Sequence, residues 1–152
     1  MLYSKTCEYA LRSLVYLCHK GIDVFVGASE ISKEIDVPQA YLAKIFQALV
    51  RAGILKSRRG VGGGVALCPE YQQLTLMQII EAIDDLAAFK ECAMGLDHCD
   101  AEKACPLHDI WSKAKEEIIS KFTMTTLLEL TRSSKKFKYA KMSRARLKAS
   151  MS

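Results

Sequence analysis

Apolar residues recur every three to four positions along most of this chain, as in helices with one buried face. The first such run covers residues 3–20, where Leu11, Leu14, Val15 and Cys18 share a face with Tyr9 and Ala10 and Gly21 is placed to end it. Val24-Phe25-Val26 reads as a brief strand, and Ala28 to Ile35 as a short helix before Asp36-Val37-Pro38 breaks the pattern. Pro38 suits the first turn of a further helix to about Ala52, closed by Gly53, with Leu42, Ile45, Phe46, Leu49 and Val50 turned inward. Two helices joined by a tight turn, the second longer, make a helix-turn-helix pattern.

The period then shortens. Ile54 to Leu67 reads as strand, glycine-rich turn and strand, and Gly60, Gly62, Gly63 and Gly64 permit backbone angles that other residues avoid. A hairpin directly after a helix-turn-helix is the wing of a winged helix. A phosphate-binding loop fits these glycines poorly, because no Lys-Ser/Thr and no helix follow them. Thr75 can cap a helix to about Asp85, buried along Leu76, Ile79, Ile80 and Ile83. A last, long helix is predicted from Pro106 or Leu107 to about Leu130, with Ile110, Trp111, Ala114, Ile118, Phe122, Leu127 and Leu130 in one stripe. So small a head leaves that stripe little to cover, which predicts burial against a second copy of the chain. The expected fold is mainly α with a small β-wing. A winged helix-turn-helix domain spans 1–84, a loop 85–105, a dimerisation helix 106–131 and a basic tail 132–152.

Charge divides the 152 residues in the same places. Residues 1–70 carry 9 Lys/Arg and 6 Asp/Glu, residues 71–131 carry 5 and 11, and residues 132–152 carry 8 and none. The basic head fits a polyanion, and the acidic middle fits a segment facing away from it. The tail is either a further polyanion contact or a solubilising terminus. On the exposed face of the second helix of the pair, Gln39, Tyr41, Lys44 and Gln47 are candidate DNA contacts. Arg58, Arg59 and Gly60 are candidates at the wing, suited to phosphates or the minor groove. No apolar run approaches the ~20 residues needed to cross a bilayer. With no secretory leader pattern at the N-terminus, a cytoplasmic protein with reduced thiols is expected.

Three of the six cysteines lie within one polar stretch: six residues separate Cys92 from Cys99, five separate Cys99 from Cys105, and His108 follows. Clustered thiols in a reducing compartment point to a metal or to redox chemistry. Three thiolates and an imidazole also form a legitimate zinc set, although zinc-knuckle cysteines usually sit two to four residues apart. A metal-free thiol switch through sulfenic acid or a disulfide is the other alternative. Cys7, Cys18 and Cys68 read as isolated packed thiols.

These features together resemble the Rrf-type winged-helix transcriptional regulators, which include the IscR and NsrR iron–sulfur regulators. The resemblance covers about residues 3–131. It rests on Glu8-Tyr9-Ala10-Leu11-Arg12, on Tyr41-Leu42 and Ile45-Phe46, on Arg59-Gly-Val-Gly-Gly-Gly64, and on three cysteines ahead of a long helix. It implies a homodimer that binds a pseudopalindromic operator in double-stranded DNA. It also implies a 2Fe–2S or 4Fe–4S iron–sulfur cluster on Cys92, Cys99 and Cys105, sensitive to redox state, nitric oxide or iron–sulfur status. His108 matches one type of fourth ligand. Glu8 occupies the position from which other members supply an acidic ligand across the dimer, and an exogenous group, His98 or Cys7 remain as further choices. One departure stands out. Ala43 and Lys44 replace the glutamate and glutamine of the IscR recognition helix, so its choice between promoter classes is not implied.

Enzymatic chemistry fits poorly, because no nucleophile–base order, nucleotide loop or paired catalytic carboxylates occur. Asp84-Asp85 reads as a solvated helix end. A small electron carrier would use a cluster but has no need of a winged helix.

Overall fold

The computed structural model describes residues 2–97 and 101–134. The head opens with three helices: α1 (Lys5–Lys20), α2 (Ala28–Ile35) and α3 (Gln39–Arg51). Ser4 caps α1 by accepting from the Cys7 N–H at 3.1 Å, and Gly21 ends it at φ 110°. The turn between α2 and α3 closes through Asp36, at φ 55°, and through Ser32 Oγ, which donates to the Val37 carbonyl at 2.7 Å. The three helices bury Leu14, Leu17, Ile31, Ile35, Leu42, Ile45 and Leu49 in one core.

Strands β1 (Leu55–Arg58) and β2 (Gly64–Leu67) pair antiparallel, from Leu55 opposite Leu67 to Arg58 opposite Gly64. The strand expected over residues 24–26 is reduced to one bridge. Val26 N–H donates to Val65 O at 2.9 Å, and Val65 N–H returns to Val26 O at 3.0 Å. Gly64 makes this approach possible, since a Cβ there would lie 2.1 Å from the Val26 carbonyl oxygen.

After a 3-10 turn at Pro69–Gln73, α4 (Leu76–Ile83) starts from a capping box in which Thr75 and Gln78 satisfy each other's backbone N–H. A second 3-10 turn, Leu86–Phe89, leads into the cysteine loop.

The single helix expected over 106–131 is two helices: α5 (His108–Met124) and α6 (Leu127–Ser133). Thr125 is extended, with ψ 122°, and Thr126 caps α6 in a capping box with Glu129. The break is pinned to the head, because Leu76 N–H donates to Thr125 O at 2.9 Å and Leu127 N–H to Leu74 O at 2.8 Å. The apolar stripe divides accordingly. Leu127 is fully buried in the head core, and Leu130 packs against that core. Ile118 and Phe122 pack on a smaller cluster of Cys7, Met77, Ile80 and Phe89. Ile110, at 71 % exposure, is left uncovered. The end of the stripe thus finds its core within the same chain. Among the described residues no helix is long and apolar enough to cross a membrane.

Candidate functional site

Helix α3 turns Gln39, Tyr41, Lys44 and Gln47 outward, as its periodicity requires. The Tyr41 ring, 55 % exposed, meets Tyr9 of α1 edge-on with 6.2 Å between centres. That contact holds one aromatic ring at the surface of α3.

Sequence reasoning places Arg58 and Arg59 together at the wing and favours Arg59 for the minor groove; in the structure both are exposed, but they differ in their partners. Arg58 turns back on its own hairpin. It donates to the Gly62 carbonyl at 2.8 Å, and its guanidinium lies 4.1 Å from the centre of the Phe25 ring. Arg59 and Gly60 stay exposed at the wing.

The second element of interest is the loop before α5. Cys92 is buried, Cys105 half-buried, and their sulfurs lie 3.6 Å apart. The backbone N–H groups of Met94 and Leu96 favour a Cys92 thiolate against the cost of burial. The Cys105 thiol and the Gly95 N–H add to this, and together they lower its pKa. The other cysteines behave differently. Burial, reinforced by the nearby Asp84 carboxylate, pushes Cys7 up to about 12. Burial likewise raises Cys18 and Cys68. Cys92 thus has an environment suited to a thiolate, and these three do not.

Two side chains of α5 hold the loop in place. Trp111 Nε1 donates to the Glu91 carbonyl at 3.0 Å, and Lys115 Nζ to the same oxygen at 3.3 Å. Lys115 is 8 % exposed, with its ammonium 5.8 Å from the Trp111 ring centre. Sequence reasoning missed Lys115 because a lysine beside an apolar stripe reads as solvent-facing. It missed Phe25 because no periodicity marks its role.

Among the candidate fourth ligands, His108 is the first residue of α5 and is half-buried. Its backbone N–H donates to the Cys105 carbonyl at 2.9 Å, closing both residues into one turn. Glu8 is engaged elsewhere: Lys5 lies 2.8 Å from its carboxylate, and Arg12 pairs with its other oxygen. Burial opposes ionisation of Glu8, but these two cations outweigh it and hold its pKa below the usual carboxylate value. Cys99 and His98 lie outside the described residues. Among the described residues, no three His, Cys, Asp or Glu side chains converge as a metal site.

The Cys92–Cys105 pair alone can be tested against a metal. A tetrahedral ion with metal–sulfur bonds of about 2.3 Å holds two thiolates about 3.8 Å apart. The 3.6 Å separation and the N–H donors around Cys92 fit that demand.

Comparison with known proteins agrees with the head and wing. The Rrf2 family profile, described as an iron-dependent transcriptional regulator, matches residues 3–133. A protein of Aquifex aeolicus, named as a candidate HTH-type transcriptional regulator, is 33 % identical over 132 residues, covering 86 % of this chain and 91 % of that one. The HTH-type transcriptional regulator IscR of Yersinia pseudotuberculosis is 28 % identical over 123 residues, covering 81 % and 74 %. The structure of CymR, the global cysteine regulator of B. subtilis, superimposes with a TM-score of 0.73 at 22 % identity, covering 88 % and 98 %. With the family profile spanning the winged helix, the thiol loop and both closing helices, this chain belongs to the Rrf2 family of transcriptional regulators.

Proposed function

We propose that this regulator binds a pseudopalindromic DNA operator as a homodimer, and that an iron–sulfur cluster on Cys92, Cys99 and Cys105 sets its affinity. The observation that carries the reading is the Cys92–Cys105 pair, with sulfurs 3.6 Å apart and one of them ringed by backbone N–H groups. His108 is the favoured fourth ligand, since it shares a turn with Cys105 and its ring Nε2 meets a neutral hydroxyl, that of Ser112 at 3.4 Å, whereas Glu8 is held by the charged Lys5 and Arg12. A bound cluster would supply a centre whose potential responds to net charge and to hydrogen bonds at sulfur. Sulfurs 3.6 Å apart suit two thiolates on one iron, as in 2Fe–2S, whereas 4Fe–4S would need them to separate onto different irons.

The chain's own residues then link that loop to DNA. Trp111 and Lys115 tie the loop's backbone to α5, and α5 packs on α4 through Ile118 and Phe122. Altered loop order therefore reaches the helix proposed to pair with the second copy. In the dimer this would shift the balance between two spacings of the reading helices. The test is anaerobic purification followed by iron and sulfide analysis and visible absorbance. Wild-type protein is expected to be coloured, and a Cys92→Ser, Cys99→Ser, Cys105→Ser variant colourless. Persisting colour and iron in that variant would overturn the ligand assignment.

A second reading rests on the same sulfur separation. Two thiols this close, one of them favouring the thiolate, can also form a disulfide once an oxidant removes two electrons and two protons. Mass spectrometry of the intact, metal-free protein after mild oxidation distinguishes it by the loss of two hydrogens.

A further inference from the structure

The apex of the wing carries an apolar side chain that no core needs. Val61 is fully exposed, at 108 % of its reference area. Glycines at φ 89° and 70°, Gly60 and Gly62, flank it in a backbone shape other residues resist. A lone exposed valine on a mobile loop would mean little. This one is mounted rigidly. The Gly63 N–H donates to the Gly60 carbonyl at 3.0 Å and closes the turn. A Cβ at Gly63 would lie 2.2 Å from the Arg58 carbonyl oxygen, so the two sides of the apex touch. Arg58 then cross-links the apex to Phe25 through its bond to Gly62 and its ring contact. Phe25 precedes Val26, which is bridged to Val65.

We propose that Val61 is an apolar DNA contact of the wing, seated against sugars and base edges in the minor groove beside Arg59, and that Arg58 braces the wing without touching DNA. The inference rests on the DNA-binding reading above. Its physical basis is threefold. A β-branched side chain on a braced turn loses little conformational freedom on docking. Arg59, two residues earlier, is exposed and supplies the charge that draws the apex to phosphates. Minor-groove readers commonly combine a basic side chain with an apolar one at the groove floor.

The test uses full-length protein purified without oxygen. DNA duplexes are enriched by the wild-type chain from a random 30-base-pair pool, about three helical turns. Dissociation constants are then measured by fluorescence anisotropy across a salt series. Val61→Ser is expected to weaken binding to the enriched duplex by at least roughly fivefold to tenfold, from the loss of one half-buried side chain in each subunit. Its salt dependence should stay unchanged. In the dimer Arg59→Ala removes two cations and should reduce the slope of log affinity against log salt by about 2. Arg58→Met should weaken binding with a smaller change in slope than Arg59→Ala. If Val61→Ser binds as tightly as wild type, or if Arg58→Met matches the Arg59→Ala slope, the inference falls and the DNA-binding reading survives. If the wild-type chain enriches no duplex, both fall. Circular dichroism of each variant confirms that the fold is kept.

Discussion

Replacing Lys115 with methionine should loosen the cysteine loop without unfolding the head. Methionine keeps most of the stem that packs beside Trp111 but removes the ammonium that donates to Glu91 at 3.3 Å. A hydrogen bond from a charged donor contributes about 1.5–3 kcal/mol, offset in part because the buried ammonium no longer has to be desolvated. A net local loss of about 1.5 kcal/mol remains, roughly a tenfold increase in opening. The loop is still held by Trp111 Nε1, so the effect is a shift in local stability. Hydrogen exchange followed by mass spectrometry reads it directly. Amides of Met94, Gly95 and Leu96, which surround the Cys92 sulfur, should exchange about tenfold faster, while those of α1 and α3 keep their protection. Lys115→Arg, which retains a charged donor, should recover much of the protection. Unchanged exchange at residues 94–96, or an equal acceleration throughout the head, would refute the reasoning.

Other consequences are equally specific. Leu127→Ala, in the head core, should cost about 3 kcal/mol in urea denaturation. Ile110→Ser, at a 71 % exposed position, should leave that stability unchanged but weaken self-association in sedimentation velocity. Gly64→Ala would force a Cβ against the Val26 carbonyl at φ 137°, costing at least about 2 kcal/mol and lowering Tm by several degrees. Stability should also fall above pH 9. Cys7 stays protonated in the fold to about pH 12, whereas its ordinary value is 9.0, so the unfolded chain releases that proton first. The contribution is complete below pH 9 and lost as pH rises toward 12. Cys7→Ala should therefore show a shallower alkaline decline in urea midpoint.

The head was legible because its helices are amphipathic and their ends carry their own signals: Gly21, Gly53 and Thr75 each fall at an observed boundary. The last helix misled because apolar residues continue from Ile110 to Leu130, although the five-residue step from Phe122 to Leu127 turns an ideal helix about 140° off the stripe. Periodicity reports which face is buried, not which surface buries it. The Thr126–Glu129 box that starts α6 has the same spacing as the box at Thr75, and it is the signal that could have divided the segment. The thiol loop was legible as a cluster of residue types. Its supports were not, because the grip of Trp111 and Lys115 on a carbonyl some twenty residues earlier is a tertiary contact. Arg58 is similar: its sequence position places it beside Arg59, and only the Phe25 ring reveals it as a brace.

On the proposed function, the occupant of the thiol loop governs DNA binding. The most direct test measures affinity for the enriched duplex at fixed salt, before and after anaerobically purified protein is exposed to air and a chelator. The wild-type chain should change affinity at least tenfold, and the Cys92→Ser, Cys99→Ser, Cys105→Ser variant should show one unchanging affinity. An unaltered wild-type affinity, or an equal response in the variant, would contradict the account.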